Sequence, residues 1–154
     1  MGEIVSPKKA VKIRAELKKK RKVVVFTNGV FDIVHAGHVQ VLSRAKKLGD
    51  VLILGLNQDE SVRLLGKGPG RPLNSFRDRA TVLAALCSVD YVVGFKEKTP
   101  ENLIRSLMPD ILVKGADYKK KQIAGTLFSG KVIRIPLKKG YSTTALIKKI
   151  QGLA

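Results

Sequence analysis

The sequence predicts an α/β fold: a single domain with a doubly wound sheet of five parallel strands. Two observations support this prediction. From Lys22 onward, short runs rich in β-branched residues alternate with amphipathic stretches, an order that puts helices on both faces of a parallel sheet. The runs are apolar throughout rather than at every second residue, as expected of strands covered on both faces. The predicted architecture is Rossmann-like, and 154 residues suffice for its core.

Each predicted element has a local signal. The strands are expected at residues 23–26, 51–54, 91–93, 111–113 and 132–135. A stretch with helical spacing follows the first strand and stops at Gly49, and another begins at Ser75. Thr99 and Pro100 suit the cap and first position of a third helix, and Ser142 suits the cap of the last. In this fold, ligands are expected where helices begin at the carboxyl ends of the strands.

The start of the chain is strongly basic. Ser6 and Pro7 suit a helix start, and nine of the residues from Lys8 to Lys22 are Lys or Arg. We predict a basic N-terminal helix in residues 1–21, ahead of the core of the domain in residues 22–154. The formal net charge of +18 attracts anions, such as a nucleotide, a sugar phosphate or a nucleic acid. Aromatic residues make up 5% of the chain and are not interleaved with the basic ones, which disfavours binding of nucleic acid.

Composition also bears on the compartment. No apolar run approaches the roughly 18 residues that suggest a membrane span, and the charged N-terminus lacks the apolar region of a secretory signal. We therefore expect a soluble cytoplasmic protein with no membrane partner. Cys87 is the sole cysteine, which excludes an internal disulfide and a cysteine-built zinc site. Its apolar neighbours predict that its side chain is buried.

Both histidines of the chain, His35 and His38, stand between the first predicted strand and a helical pattern. If the helix begins near residue 36, both imidazoles project from one side of its first turn. Unpaired N–H groups and the helix dipole make that turn a phosphate site, and Gly29 and Gly37 allow a strained turn and close backbone approach. A metal site would need a third protein ligand, and Asp32 is the only carboxylate close in sequence. A purely structural pair is the other alternative.

The stretch Gly29-x-Phe31-Asp32-x-x-His35-x-Gly37-His38 resembles the signature of a nucleotidyltransferase superfamily. That superfamily includes glycerol-3-phosphate and choline-phosphate cytidylyltransferases and bacterial FAD synthetases. Residues 68–72, 109–115 and 140–144, among others, are similar to the adenylyltransferase domain of ADP-heptose synthases. The resemblance implies an enzyme of lipopolysaccharide biosynthesis that transfers the adenylyl group of ATP to D-glycero-β-D-manno-heptose 1-phosphate, giving ADP-heptose and pyrophosphate. It implies Mg²⁺ as a cofactor that is bound through the ATP phosphates and not by protein ligands alone. It is also compatible with a homodimer.

The resemblance also assigns roles to individual residues. Catalytic roles are implied for His35, His38 and Lys114. Nucleotide binding is implied for Thr27, Asn28, Gly29, Phe31, Asp32, Gly37, Gly115, Asp117, Ser142, Thr143 and Thr144. Binding of the sugar phosphate is implied for Asn57, Lys67, Arg71 and Arg79.

Some of these roles have plainer alternatives. The segment 142–144 can cap the last helix, worth about 1 kcal/mol, or hold the β- and γ-phosphates as the resemblance implies. The loop 66–71 is glycine-rich and cationic, so it can be a surface turn or can close over an anionic substrate. Cytidylyltransferases usually carry an Arg-Thr pair where residues 138–139 are Lys-Lys, which favours adenine over cytosine. The alternative function is a related transferase, such as a glycerol-3-phosphate cytidylyltransferase or an FAD synthetase.

Overall fold

The computed structural model of the chain describes residues 1–66, 68–115, 124–136 and 140–153. Its strands are β1 (Glu3–Val5), β2 (Val24–Gly29), β3 (Val51–Asn57), β4 (Tyr91–Phe95), β5 (Ile111–Gly115) and β6 (Lys131–Ile135). Its helices are α1 (Pro7–Lys19), α2 (Ala36–Lys46), α3 (Asp59–Leu64), α4 (Phe76–Ala84), α5 (Glu101–Leu107) and α6 (Thr143–Gln151), with a short 3₁₀ helix at Thr126–Phe128. The strands form one parallel sheet in the order β1-β4-β3-β2-β5-β6. The α/β class and the parallel sheet are confirmed.

The sheet has a sixth strand in addition to the five that the sequence predicts, so the predicted strand number is wrong. β1 pairs with the edge of β4, with Glu3 opposite Tyr91 and Val5 opposite Val93. The strand is three residues long and buries only Val5, which is too little for a periodic pattern. The segment 1–21 therefore contributes a strand as well as the predicted basic helix.

Helix α1 is capped as the sequence predicts, since the Ser6 hydroxyl accepts a hydrogen bond from the Lys9 N–H at 3.2 Å. Its lysines are exposed, but Arg14 turns inward and is 8% exposed. The Arg14 guanidinium donates to the Met108 carbonyl at 3.0 Å and to the Asp110 carboxylate at 2.9 Å. One arginine of the basic helix thus ties α1 to the segment between α5 and β5.

Apolar side chains cover both faces of the sheet. On one face α2 and α4 contribute Leu42 and Leu83, which pack with Leu54 of β3. On the other face α1 and α5 pack against strand residues that include Phe26 and Ile53. Full burial of such a side chain is worth about 1.5–3 kcal/mol. Burial on both faces is the physical reason why the strands read as continuous apolar runs.

The order of the strands creates a crevice. The chain adds β3 and then β4 on one side of β2, and it adds β5 and then β6 on the other side. The direction of winding therefore reverses between β2 and β5, which pair through Val25 and Ile111. The loops that leave the carboxyl ends of these two strands diverge, and ligands of doubly wound sheets bind in the opening between them.

Two expectations from composition can be compared with the structure. Cys87 is exposed, so the prediction of a buried thiol is wrong. It lies in the turn after α4, where Ala84 and Val89 enter the core and the cysteine between them does not. Among the helices of the described ranges, none is long and apolar enough to cross a membrane.

Candidate active site

The crevice between β2 and β5 is a cleft of about 710 Å³, within the usual size range of small-molecule sites. It is lined by most of the residues that the sequence assigns to a site: Thr27, Asn28, Gly29, Phe31, Asp32, His35, Gly37, His38, Asn57, Arg71, Lys114, Gly115, Ser142, Thr143 and Thr144. The predictions for Lys67 and Asp117 lie outside the described residues. Among the described ones, Arg79 is the predicted site residue that does not line the cleft.

The two histidines are stacked at the start of α2. Their ring centroids are 3.8 Å apart with an interplanar angle of 17°, and Phe31 packs against His38 at 4.9 Å. His35 is the N-cap residue but makes no side-chain cap hydrogen bond, so the first turn of the helix has no protein acceptor from that position. Both rings and an uncapped helix N-terminus therefore border the same cleft.

Gly37 makes room for this arrangement. A Cβ atom at this position would lie 3.0 Å from Cβ of Tyr141 and 3.1 Å from Cε1 of His35, which is tighter than ordinary van der Waals contact. The sequence predicts that Gly37 admits a ligand. In the structure the space beside it is shared by the His35 ring and the Tyr141 side chain, whose ring centroid lies 6.0 Å from that of His35.

Burial makes His35 harder to protonate. Removal of the imidazole from water lowers its pKa below the ordinary value, and an interaction with its own backbone offsets only part of that effect. Its Nδ1 atom is buried and has no hydrogen-bond partner among the described residues. A second imidazole stacked 3.8 Å away adds like-charge repulsion when both are protonated. Both effects disfavour the protonated form of the His35 ring.

The shift of His35 predicts a sign for pH dependence. Because the pKa is lower in the folded chain than the ordinary value of about 6.5, the unfolded chain binds this proton more readily. Stability therefore falls as pH decreases below about 6.5, and this loss is absent above it. We expect thermal melts between pH 7.5 and 5.5 to show a larger decrease in Tm for the wild type than for His35→Gln. Equal decreases in Tm for the two proteins would show that the His35 imidazole is not responsible for the loss of stability.

No third ligand completes a metal site with the histidines in the described part of the chain, where no three His, Cys, Asp or Glu side chains cluster. The nearest carboxylate in sequence, Asp32, is 2% exposed and is directed at the loop that follows residue 70. The pair as described offers two imidazoles and helix N–H groups, a donor set that suits phosphate oxygens.

The opposite wall of the cleft is formed by the end of β5. Lys114 is 7% exposed, and its ammonium group donates a hydrogen bond to Oδ1 of Asn28 on β2. The Thr27 hydroxyl donates to the Val113 carbonyl at 3.1 Å, so it braces the two strands on either side of the crevice. Thr27 borders the cleft, but its hydroxyl is already used within the sheet.

A second helix N-terminus meets the cleft at α6. The Ser142 hydroxyl caps this helix by accepting from the Ala145 N–H at 3.0 Å, as the plainer alternative predicts. Thr143 and Thr144 also line the cleft. Capping by Ser142 leaves the two threonine hydroxyls at the same opening. The structure is therefore compatible both with capping of the helix and with binding of phosphates by this segment.

Asn57 and Arg71 lie on the β3 side of the cleft. The Asn57 amide nitrogen donates to the Ser61 hydroxyl at 2.8 Å, and that hydroxyl donates to the Glu97 carbonyl at 2.5 Å. Asn57 is 3% exposed and thus shapes the floor of the cleft. Arg71 donates from Nε to the Asp32 carboxylate at 2.6 Å.

The structure gives Arg79 a different role from the predicted contact with the sugar phosphate. Its side chain is 2% exposed. Nε donates to the Asn74 carbonyl at 2.9 Å, and Nη1 donates to the carbonyls of Val30 at 2.7 Å and Asn57 at 2.8 Å. Nη2 pairs with the Asp59 carboxylate at 2.6 Å. These donors are committed to the loops behind the cleft, so Arg79 holds those loops together and does not face a ligand.

Several lining residues have no assigned role in the sequence analysis: Val30, Val41, Leu65, Lys98, Thr99, Pro100, Ala124 and Tyr141. The segment Lys98–Pro100 follows the carboxyl end of β4, and the rule for parallel sheets could have identified it. Its Thr-Pro pair predicts a helix start, a signal that carries no information about a ligand. Tyr141 precedes the cap of α6, and its contact with His35 is between distant segments, for which no local signal exists.

Comparisons with known proteins match the same region. A family model described as cytidylyltransferase-like matches residues 26–149. The chain is 52% identical over 149 residues to the bifunctional protein HldE of Wolinella succinogenes, covering 97% of this chain and 31% of that protein. It is 56% identical over 133 residues to the bifunctional protein HldE of Campylobacter concisus, covering 86% of this chain and 28% of that protein. The chain thus spans less than a third of the length of these relatives.

Solved structures with the same fold include two that align well. The lipopolysaccharide core biosynthesis protein from Thermoplasma volcanium GSS1 has a TM-score of 0.66 at 29% identity, covering 77% of this chain and 99% of that chain. Pantoate-beta-alanine ligase from Francisella tularensis, complexed with beta-gamma ATP and beta-alanine, has a TM-score of 0.65 at 19% identity, covering 90% of this chain and 68% of that chain. The second similarity concerns the fold alone.

Proposed function

The chain belongs to the cytidylyltransferase-like family of nucleotidyltransferases, and on that premise we propose that it transfers the adenylyl group of ATP to D-glycero-β-D-manno-heptose 1-phosphate. The products are ADP-heptose and pyrophosphate. The resemblance to ADP-heptose synthases is confirmed by the HldE relatives, which are 52% and 56% identical over the matched regions. Because the match covers a third or less of those proteins, the substrate is part of the proposal.

The observation that carries the proposal is the stacked pair His35 and His38 at the uncapped start of α2, opposite the start of α6. Two helix N-termini and two imidazoles around one cleft suit a chain of phosphates. Catalysis of phosphoryl-type transfer consists largely of alignment and charge stabilisation. The described side chains of this cleft are suited to both tasks.

In the proposed reaction an oxygen of the sugar phosphate attacks the α-phosphorus of ATP in line. A new P–O bond forms, the bond from the α-phosphorus to the bridging oxygen breaks, and pyrophosphate leaves with the electron pair. A phosphate monoester has a second pKa of about 6, so the attacking oxygen is already ionised at neutral pH. This explains why the reaction can proceed without a general base from the protein.

The roles follow from where the residues lie. His35, His38 and Lys114 would stabilise the charge that builds on the α- and β-phosphates, while Thr143 and Thr144 would hold the outer phosphates at α6. The nucleotide would enter with Mg²⁺ on its phosphate oxygens, and the metal would neutralise part of their charge. The sugar phosphate would then occupy the β3 and β4 side, near Arg71 and Lys98.

The proposed substrate is tested by pyrophosphate release. Purified protein is incubated with ATP or CTP and with heptose 1-phosphate, glycerol 3-phosphate, choline phosphate or FMN, and the nucleotide product is identified by mass spectrometry. We expect ADP-heptose formation to exceed every other combination by at least about tenfold, a free-energy difference of about 1.4 kcal/mol. Higher activity with CTP would instead favour a cytidylyltransferase, the activity for which the matching family is named.

A further inference from the structure

Asp32 belongs to the histidine-containing motif, yet its carboxylate is hydrogen-bonded to the loop that follows residue 70. Oδ2 accepts a hydrogen bond from Arg71 Nε at 2.6 Å, and Oδ1 accepts from the backbone N–H groups of Leu73 at 2.8 Å and Asn74 at 3.0 Å. The Asn74 side-chain amide donates back to the Asp32 carbonyl at 2.6 Å. The Asp32 side chain is 1% exposed, so these donors take the place of water around the buried carboxylate.

The Asp32 carboxylate is held as an anion. Burial alone would raise its pKa, but the N–H groups of Asn74 and Leu73 and the Arg71 guanidinium outweigh burial and lower the pKa. A buried anion with these partners cannot turn toward a nucleotide without breaking several charge-assisted hydrogen bonds at once. The sequence-based expectation that Asp32 binds the nucleotide therefore conflicts with its contacts.

The loop that Asp32 holds is rich in glycine, and its described residues before Arg71 are exposed. Gly66, Gly68 and Gly70 have positive φ angles, and a Cβ built at any of them would find no atom within 4 Å. Residues 66 and 68–70 are exposed, and Arg71, which follows them, donates a hydrogen bond to Asp32. The bonds to Asp32 are where the loop becomes anchored to the rest of the domain.

Arg71 connects this anchor with the cleft. Its bond to Asp32 uses Nε, its side chain is 12% exposed, and it lines the cleft. A guanidinium can pair with one anion through Nε and with a second through its terminal amino groups, because its donors lie in a fixed plane. Lysine has a single ammonium group and cannot hold two anions in that planar geometry.

Resting on the proposed function, we propose that Asp32 is a positioning residue for the acceptor. It fixes Arg71 and residues 73–74 at the edge of the cleft, so that the terminal amino groups of Arg71 bind the phosphate of the sugar substrate. Asp32 then acts on the phosphate that attacks, through Arg71, and not on the nucleotide. This assigns to the acceptor side a residue that lies within the nucleotide-binding motif.

The test compares the KM values of the two substrates. In Asp32→Asn the side chain keeps its size but places an N–H donor or a neutral oxygen against Arg71. We expect the KM for the sugar phosphate to rise about 10- to 100-fold, as for loss of a charged hydrogen bond, while the KM for ATP changes less than about twofold. Arg71→Ala is expected to have the same signature. Arg77→Ala removes an exposed arginine outside the cleft and is the matched control.

A double variant tests whether Asp32 acts through Arg71. If it does, Asp32→Asn in the Arg71→Ala background adds much less to the acceptor KM than it does alone. Arg71→Lys is expected to recover only part of the loss, because it restores the charge without the planar contact to both anions. Independent effects that multiply would overturn the proposal, and so would a rise confined to the KM for ATP.

Hydrogen exchange gives a readout that does not depend on the substrate. Amide hydrogens of Leu73 and Asn74 are expected to exchange faster in Asp32→Asn than in the wild type, with amides of α2 unchanged, and equal rates would overturn the proposed anchor. If the wild type prefers another phosphate acceptor, the proposed function fails, and the KM comparison is made with that acceptor. Failure of the two proposals is thereby distinguished.

Discussion

Replacing either His35 or His38 by alanine is expected to lower kcat by about 100- to 1,000-fold, the usual effect of removing one donor that stabilises a developing anion. The two rings are stacked at the mouth of the cleft and are only partly buried, so neither fills the core. The loss should therefore appear in turnover and not in folding. The measurement is pyrophosphate release under saturating ATP and acceptor, with Tm and circular dichroism recorded for each variant.

Val39→Ala is a suitable control for these variants. Val39 follows His38 on the same turn of α2, is 41% exposed and does not line the cleft. Because Val39 does not line the cleft, its truncation should change kcat by less than about twofold. Its exposure also means that stability should change by only about 0.5 kcal/mol. Turnover near that of the wild type in both histidine variants would refute the catalytic assignment, whatever their stability.

The location of the cleft could be predicted because its signals are local. A run of β-branched residues that ends at Gly29, followed by two histidines at helical spacing, describes a strand, a turn and a helix start within one short segment. The rule for parallel sheets then places every such junction at one edge. Lys114 and Ser142 reach the same cleft by this rule, although they are far from the histidines in the sequence.

The features that were missed or misassigned depend on distant contacts. β1 forms because β4 offers a free edge to Glu3–Val5, which a three-residue pattern cannot reveal. Cys87 has apolar neighbours in the sequence but lies in the turn after α4, where successive side chains point in different directions. The sequence leaves the loop 66–71 open between a surface turn and a segment that closes over an anionic substrate. Its anchoring instead comes from a carboxylate some forty residues earlier.

Arg79→Ala is expected to have the largest effect on stability, lowering the free energy of unfolding by about 3–5 kcal/mol, because it removes the donor of two buried carbonyls and the cation beside the partly exposed Asp59. The substitution would leave the carbonyls of Val30, Asn57 and Asn74 without this donor and Asp59 without its cation. Each buried acceptor left unsatisfied carries a desolvation cost of about 1–3 kcal/mol. Urea unfolding measures the change, and a decrease in Tm of about 10 °C is expected for a domain of this size.

Arg77→Ala separates this structural role from the role predicted from the sequence. Arg77 is exposed on the first turn of the same helix, whereas Arg79 is buried, so both variants lose one positive charge but only Arg79→Ala loses the buried hydrogen bonds. We expect Arg77→Ala to unfold within about 0.5 kcal/mol of the wild type. If Arg79→Ala were equally stable and lost only affinity for the sugar phosphate, the sequence-based assignment would be right and the bracing role wrong. A large loss of stability, with the KM for the acceptor nearly unchanged in the fraction that remains folded, is the result that the buried guanidinium predicts.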